Sequence, residues 1–245
     1  MRVLVTGGAG WTAAAIVAEL AQAGHRPVLF DRVPPAGPPA RCETRIGDVS
    51  DYASVEAALA GTQAAVHLAV ATGDGAYNEP RLPFATNVRG TYNLFEAAHR
   101  AGVHRLVLMS GAPVHLEPGA ADGAWRSHPG DDHLYDLTKR LQEEIARDFC
   151  AARGMTAVAL RAGHIVDGRA GLDPKGRALE TLDYCKGGWV CRYDLARACR
   201  LALEADLRGF VALPVVGALP GYGRFGVAET ERVLGFRLES DFAGF

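Results

Sequence analysis

Tyr135 and Lys139 stand four residues apart in Tyr135-Asp136-Leu137-Thr138-Lys139, on one face of any helix that contains them. A phenol of ordinary pKa, near 10, is a weak base at neutral pH. An ammonium beside it stabilises the phenolate and draws that pKa toward a useful range. The pair can then move a proton on or off an alcohol. Taken alone the spacing is common, so its weight rests on what the rest of the chain builds around it.

The N-terminal stretch MRVLVTGGAGWTA supplies that context. Residues 2–6 read as a strand buried on both faces, followed by Gly7, Gly10 and Ala13 at GxxGxxA spacing and an apolar helix over 11–23. The first glycine allows a tight turn and the second lets a pyrophosphate approach the backbone. The third small residue lets helix and strand pack closely. The N–H groups of Trp11 and Thr12 and the dipole of that helix favour an anion. The next strand, 27–31, ends in Asp31, about 20 residues past the glycines, where a ribose 2′-hydroxyl is held and a 2′-phosphate repelled. That favours NAD over NADP, although Arg32 directly after it could accept a phosphate. With a nicotinamide carrying the hydride, Tyr135 and Lys139 are left to carry the proton.

Strands are expected at 2–6, 27–31, 43–46, 64–69, 105–110 and 156–161, and helices at 11–23, 51–60, 87–101, 132–153 and 194–205. The alternation implies right-handed crossovers and an α/β Rossmann-type, doubly wound parallel sheet. In such sheets the ligand lies beyond the carboxyl ends of the strands, at the switch point, which draws attention to Asp48, His67, Thr72 and Ser110. Residues 162–193 and the tail after 207 break the alternation. They suggest a dinucleotide-binding domain over 1–161 and a small irregular substrate lobe over 162–245, with Trp189–Leu203 returning to the first domain.

The 245 residues are 49% apolar, enough for a sizeable core, and carry a net charge of −2 with the signs interspersed. Neither a nucleic-acid nor a membrane-surface partner is expected. A strand at the N-terminus and no apolar run of membrane-span length point to a cytoplasmic protein. The five cysteines lack CxxC spacing and the eight histidines form no HExxH pair, so reduced thiols and no metal are expected.

The chain resembles the extended short-chain dehydrogenases/reductases, the NAD-dependent epimerase/dehydratase family, and in compactness the uronate dehydrogenases within it. The resemblance rests on TGGAGWTA (6–13), Asp31, Gly47-Asp48-Val49, His67-Leu68-Ala69, the stretch from Asn87 to Ala98 and Tyr135 with Lys139. It implies that Asp48 and Val49 contact the adenine, that Leu68 and Ala69 line the ribose side, and that Asn87 is a structural asparagine beside the site. Lys139 would hold the nicotinamide ribose as well as tune Tyr135, and pairing of helices 87–101 and 132–153 would give a homodimer.

The departures are specific. The family's third catalytic residue, a serine or threonine, falls on Gly111 in Ser110-Gly111-Ala112-Pro113-Val114-His115, and Ser110 sits one place early. Neighbouring strand residues face opposite ways, so Ser110 substitutes only through a local bulge. Thr72 is the other candidate hydroxyl, and His115 and Arg126 are further candidates for touching substrate. Arg161-Ala162-Gly163 lacks the proline usual after this arginine. The short lobe favours a small polar, sugar-like substrate over a nucleotide-diphosphate sugar. Three readings stay open: an oxidoreductase with Tyr135 as acid/base, Lys139 as tuner and Ser110 or Thr72 as substrate donor; an epimerase or dehydratase with an internal redox cycle; and a catalytically impaired NAD-binding regulator.

Overall fold

The computed structural model describes residues 1–39, 42–71, 81–112, 133–182, 185–240 and 242. In chain order the elements are β1 (Arg2–Thr6), α1 (Trp11–Gln22), β2 (Arg26–Asp31), β3 (Glu43–Ile46), α2 (Tyr52–Leu59) and β4 (Ala64–His67). A short α3 (Arg81–Pro83) runs through a π-helical turn, Phe84–Arg89, into α4 (Gly90–Arg100), followed by β5 (Arg105–Gly111), α5 (His133–Arg153) and β6 (Thr156–Ala162). Then come β7 (His164–Val166), β8 (Trp189–Cys191), α6 (Arg192–Glu204), β9 (Phe210–Val215), α7 (Leu219–Phe225) and α8 (Val227–Leu234).

The main sheet has the order β3-β2-β1-β4-β5-β6-β9, with every neighbouring pair parallel. The order reverses between β1 and β4, so the switch point lies where the glycine turn leaves β1. Alternate strand residues feed two cores. Val3, Val5, Val107 and Met109 meet Ile16 and Leu20 of α1 and Leu195 and Cys199 of α6. Leu4, Leu106 and Leu108 meet Val55, Leu94, Phe95 and Phe149 of α2, α4 and α5. Each fully buried aliphatic side chain here contributes about 1.5–3 kcal/mol. Helix α1 ends where Gly24, at φ +84°, takes the left-handed turn and its N–H bonds Ala21 O. Asp51 caps α2 by accepting the Ser54 N–H at 3.2 Å.

Three boundaries differ from expectation, each for a tertiary reason. β4 stops at His67, because Leu68 and Ala69 turn to meet the glycine loop. The helix expected from 87 begins earlier, and its π turn carries Asn87; such turns widen a helix locally and recur at functional sites. Phe210–Val215, inside the segment assigned to the lobe, forms β9 and pairs with β6 in the main sheet. The same segment also holds the two-stranded parallel sheet β7–β8 and a small core of Val166, Leu179, Trp189 and Phe242. Among the described residues no helix is long and apolar enough to cross a membrane.

Where β6 hands over to β7 the backbones nearly touch. A Cβ on Gly163 would lie 2.0 Å from Gly188 O, backbone against backbone. Gly163→Ala is therefore expected to lower unfolding free energy by about 1–3 kcal/mol or more, read from urea midpoints; an unchanged midpoint would refute this packing.

Candidate active site

The glycine turn is shaped by contacts that exclude side chains. Gly7 has φ +70°, and a Cβ there would lie 2.7 Å from Ala69 N and 2.8 Å from the Leu68 carbonyl carbon. Gly8, which the GxxGxxA spacing passes over, is equally constrained: its Cβ would fall 2.9 Å from Leu29 Cβ. Gly10 donates its N–H to Gly7 O at 3.0 Å and leaves the first turn of α1, Trp11 and Thr12, without a side-chain cap. The Asp31 carboxylate closes the turn from the end of β2, accepting Ala9 N–H at 3.0 Å and Arg32 N–H at 2.7 Å. Arg32 itself points into solvent. An exposed anion-seeking helix start, glycines where any Cβ would collide, and an acid at the next strand end are what a dinucleotide requires, so these residues fit one.

Beyond β3, Asp48 accepts Ser50 N–H at 2.8 Å, and buried Val49 packs on Gly90, whose Cβ would come within 2.7 Å of Val49 Cγ2. Asn93 Nδ2 donates to Val49 O at 3.0 Å and fixes that backbone.

A buried polar chain joins the strand ends to the helices. The Thr91 hydroxyl donates to Asn87 O at 2.5 Å, so its lone pairs accept from His67 Nε2 at 2.9 Å and Gln142 Nε2 at 2.7 Å. That assigns the His67 proton to Nε2 and makes Nδ1 the acceptor for the Thr6 hydroxyl at 2.7 Å. Thr6 Oγ1 in turn takes the Ala69 N–H at 3.4 Å. Burial, with the Lys139 charge adding to it, pushes the His67 imidazole down to about 3, so it is neutral near pH 7. Asn87 Oδ1 accepts Ala71 N–H at 2.7 Å, and its Nδ2 donates to Thr138 Oγ1 at 3.0 Å.

Tyr135 and Lys139 share the first turns of α5, with the ammonium 5.7 Å from the Tyr135 ring centre. Lys139 is buried and donates to Met109 O at 2.8 Å. Burial brings it down to about 8, while Glu143, one turn further on, acts in the opposite sense. Glu143 is gripped by Arg161 through Nε at 3.0 Å and Nη2 at 2.7 Å. Its Oε1 also accepts the Ser110 hydroxyl at 2.5 Å. The bulge that would re-aim Ser110 is not seen: β5 and β6 stay in register, Ser110 opposite Arg161 and Gly111 opposite Ala162. Ser110 therefore faces Glu143 on α5, with its proton donated to that carboxylate.

Thr72, His115 and Arg126 lie outside the described residues. Among the lobe cations, Arg177 pairs with Asp173 at 2.6 Å and Arg169 stacks on Tyr193. Thr6, Thr91, Thr138, Gln142 and Glu143 were not singled out by spacing. Their one sequence signal is polarity on helix or strand positions otherwise facing the core.

The pattern of the family described as NAD dependent epimerase/dehydratase matches residues 3–177. A 3 beta-hydroxysteroid dehydrogenase/Delta 5→4-isomerase of Mycobacterium tuberculosis is 36% identical over 171 residues, covering 65% of this chain and 46% of that protein. The L-arabinose 1-dehydrogenase (NAD(P)(+)) of Haloferax volcanii is 26% identical over 206 residues, covering 78% and 79%. Among solved structures, a short-chain dehydrogenase/reductase superfamily protein from Agrobacterium tumefaciens with bound NAD aligns with TM-score 0.77 at 23% identity, covering 99% of this chain and 94% of that one. The chain spans about half the length of the steroid dehydrogenase it matches.

The buried imidazole makes a pH prediction. Its folded-state pKa, about 3, lies below the ordinary 6.5, so below pH 6.5 the unfolded chain binds the extra proton. The His67 contribution is level above that pH and lost as pH falls toward 3, by up to about 5 kcal/mol. Denaturant unfolding from pH 7 to 4 is expected to show a steeper loss for the wild type than for His67→Gln; parallel slopes would exclude His67 as the cause.

Proposed function

The chain belongs to the NAD dependent epimerase/dehydratase family, and on that premise we propose that it is an oxidoreductase acting on a secondary alcohol or lactol of a small, sugar-like substrate. The observation that carries the reading is the Tyr135–Lys139 pair at the carboxyl edge of the sheet, its ammonium buried and brought down to about 8. NAD, when bound, supplies the hydride acceptor or donor. Tyr135 takes the proton from the substrate hydroxyl, or returns it in the reverse direction, and Lys139 stabilises its phenolate. Gly7, Gly10, Trp11 and Thr12 cradle the diphosphate, while Asp31 holds the adenosine ribose and disfavours NADP. Asp48 and Val49 flank the adenine, Leu68, Ala69 and Asn87 line the inner wall, and Lys139 also reaches the nicotinamide ribose. Ser110 stands beside this group with its hydroxyl held by Glu143. Thr72, His115 and Arg126 are proposed as substrate contacts from sequence position alone.

A sugar-like substrate is supported by the match to the arabinose dehydrogenase over 79% of its length, against 46% for the steroid enzyme. Gly111 keeps a second reading open, an NAD-binding regulator, because a lost donor of this kind typically lowers rate by roughly 10²–10³. Two copies are proposed to pair through α4 and α5, near which Leu82, Phe84 and Tyr92 are exposed.

NADH formation from NAD with a panel of aldoses and uronic acids tests the main reading. Activity is expected with at least one sugar, and Tyr135→Phe should lower it about 10²–10⁴-fold while NAD affinity is retained. Full activity in Tyr135→Phe would remove the acid/base role; NAD binding with neither NADH formation nor conversion of any sugar would favour the regulator, and sugar conversion without NADH formation an epimerase or dehydratase. Tighter binding of NADP than of NAD would overturn the role of Asp31.

A further inference from the structure

Arg192, the first residue of α6, sits where two aromatic rings converge. Its guanidinium carbon lies 4.4 Å from the Trp11 ring centre and 5.1 Å from that of Tyr193. Arg169 also covers Tyr193, at 4.0 Å. The side chain is only 15% exposed, yet its Nε is buried with no acceptor. The nearest carboxylate, Asp167, is 3.7 Å from Nε, close enough to attract but too far for a hydrogen bond. Its oxygens are already engaged. Oδ1 accepts the N–H groups of Arg169 and Ala170 at 3.1 and 3.0 Å, and Oδ2 accepts the Tyr193 hydroxyl at 3.2 Å. The guanidinium groups of Arg169 and Arg192 both lie on Tyr193, and Asp167 is the one carboxylate within ion-pair distance of Arg192 among the described residues.

A largely enclosed guanidinium with unused donors lacks an acceptor that the fold does not supply. Trp11 is the first residue of α1, whose start carries no side-chain cap, so the free donors lie beside the turn that would meet a diphosphate. Trp11 and Tyr193 also hold the planar fork at low entropic cost, which suits bidentate capture of phosphate oxygens.

We propose that Arg192 is a diphosphate-binding residue: it reaches from α6 across Trp11 to the dinucleotide at the start of α1, opposite the glycine turn. The assignment rests on the dinucleotide reading above. It also ties the lobe to the cofactor site, since Asp167 and Arg169, which fix the stack, follow β7.

The test is titration of wild type and Arg192→Met with NAD, ADP-ribose and adenosine, by tryptophan fluorescence and calorimetry, at low and high salt. Methionine keeps apolar contact with Trp11 but removes charge and donors. NAD and ADP-ribose are expected to bind about 10- to 100-fold more weakly, with a shallower salt dependence, and adenosine as before. Equal NAD affinity in both proteins would overturn the Arg192 role alone. Equal loss of adenosine binding would overturn it too, by showing a packing effect through Trp11. A wild type that binds neither NAD nor ADP-ribose would instead sink the dinucleotide reading on which it stands. Should Arg192→Met fail to fold, Arg192→Lys, which keeps the charge but not the fork, is expected to weaken NAD several-fold with adenosine unchanged; unchanged NAD binding there overturns the proposal.

Discussion

The neutral imidazole of His67 holds together the part of the molecule on which everything else is built. It lies between Thr6 at the end of β1 and Thr91 on α4, and through Thr91 it reaches Asn87 and Gln142. Each group in this chain is buried, so each donor must find its acceptor inside the protein or forfeit the hydrogen bonds it had in water. The chain is directional. One hydroxyl proton committed to Asn87 O decides the histidine tautomer, and the tautomer decides which way Thr6 points. A protonated imidazole would present a donor at both ends and break the sequence, in a place where water cannot compensate. The low pKa of His67 has its cause in that burial, with the Lys139 charge adding to it.

That rigidity lets the backbones come so close at the switch point. Gly7 approaches Leu68 and Ala69 closely enough that no side chain fits between them, and Ala69 N–H is spoken for by Thr6. Shape and polarity support each other here. The close approach seals the polar chain from solvent, and the polar chain keeps the two loops in register. Asn87 extends the same logic outward, joining the segment at Ala71 to Thr138 on α5 across a π turn. The helix carrying Tyr135 is therefore positioned by hydrogen bonds that begin at β1.

Charge on α5 is arranged in layers. Lys139 is buried far enough for desolvation to weaken its ammonium, and Glu143 one turn below offsets part of that loss. Glu143 is itself balanced by the two-pronged grip of Arg161 and by the Ser110 hydroxyl. A carboxylate removed from water at this depth is tolerable only with such partners. Ser110 therefore has a structural reason to face α5, independent of any contact with substrate. Gly111, the next residue, brings no side chain to the cleft.

Much of the architecture could be read from local pattern. Six strands of the main sheet, the helices between them, the glycine turn and Asp31 follow from period, spacing and apolar runs, because buried parallel strands and a phosphate-binding turn constrain their own residues directly. Tyr135 and Lys139 were legible for the same reason, since a separation of four on a helix is a local relation. β9 was not, because Pro214 interrupts its apolar run and the strand is fixed only by pairing with β6. Nor were the hydrogen-bonded set of Thr91, Gln142 and Glu143 or the seat of Arg192 against Trp11. Their partners lie 18 to 181 residues away or on another element, as Arg161 does for Glu143 and Trp11 for Arg192. Sequence by itself determined which residues could do chemistry and which elements would carry them. Tertiary structure decided the protonation, orientation and partners of those residues, because desolvation and hydrogen bonding exist only once distant segments have closed around them.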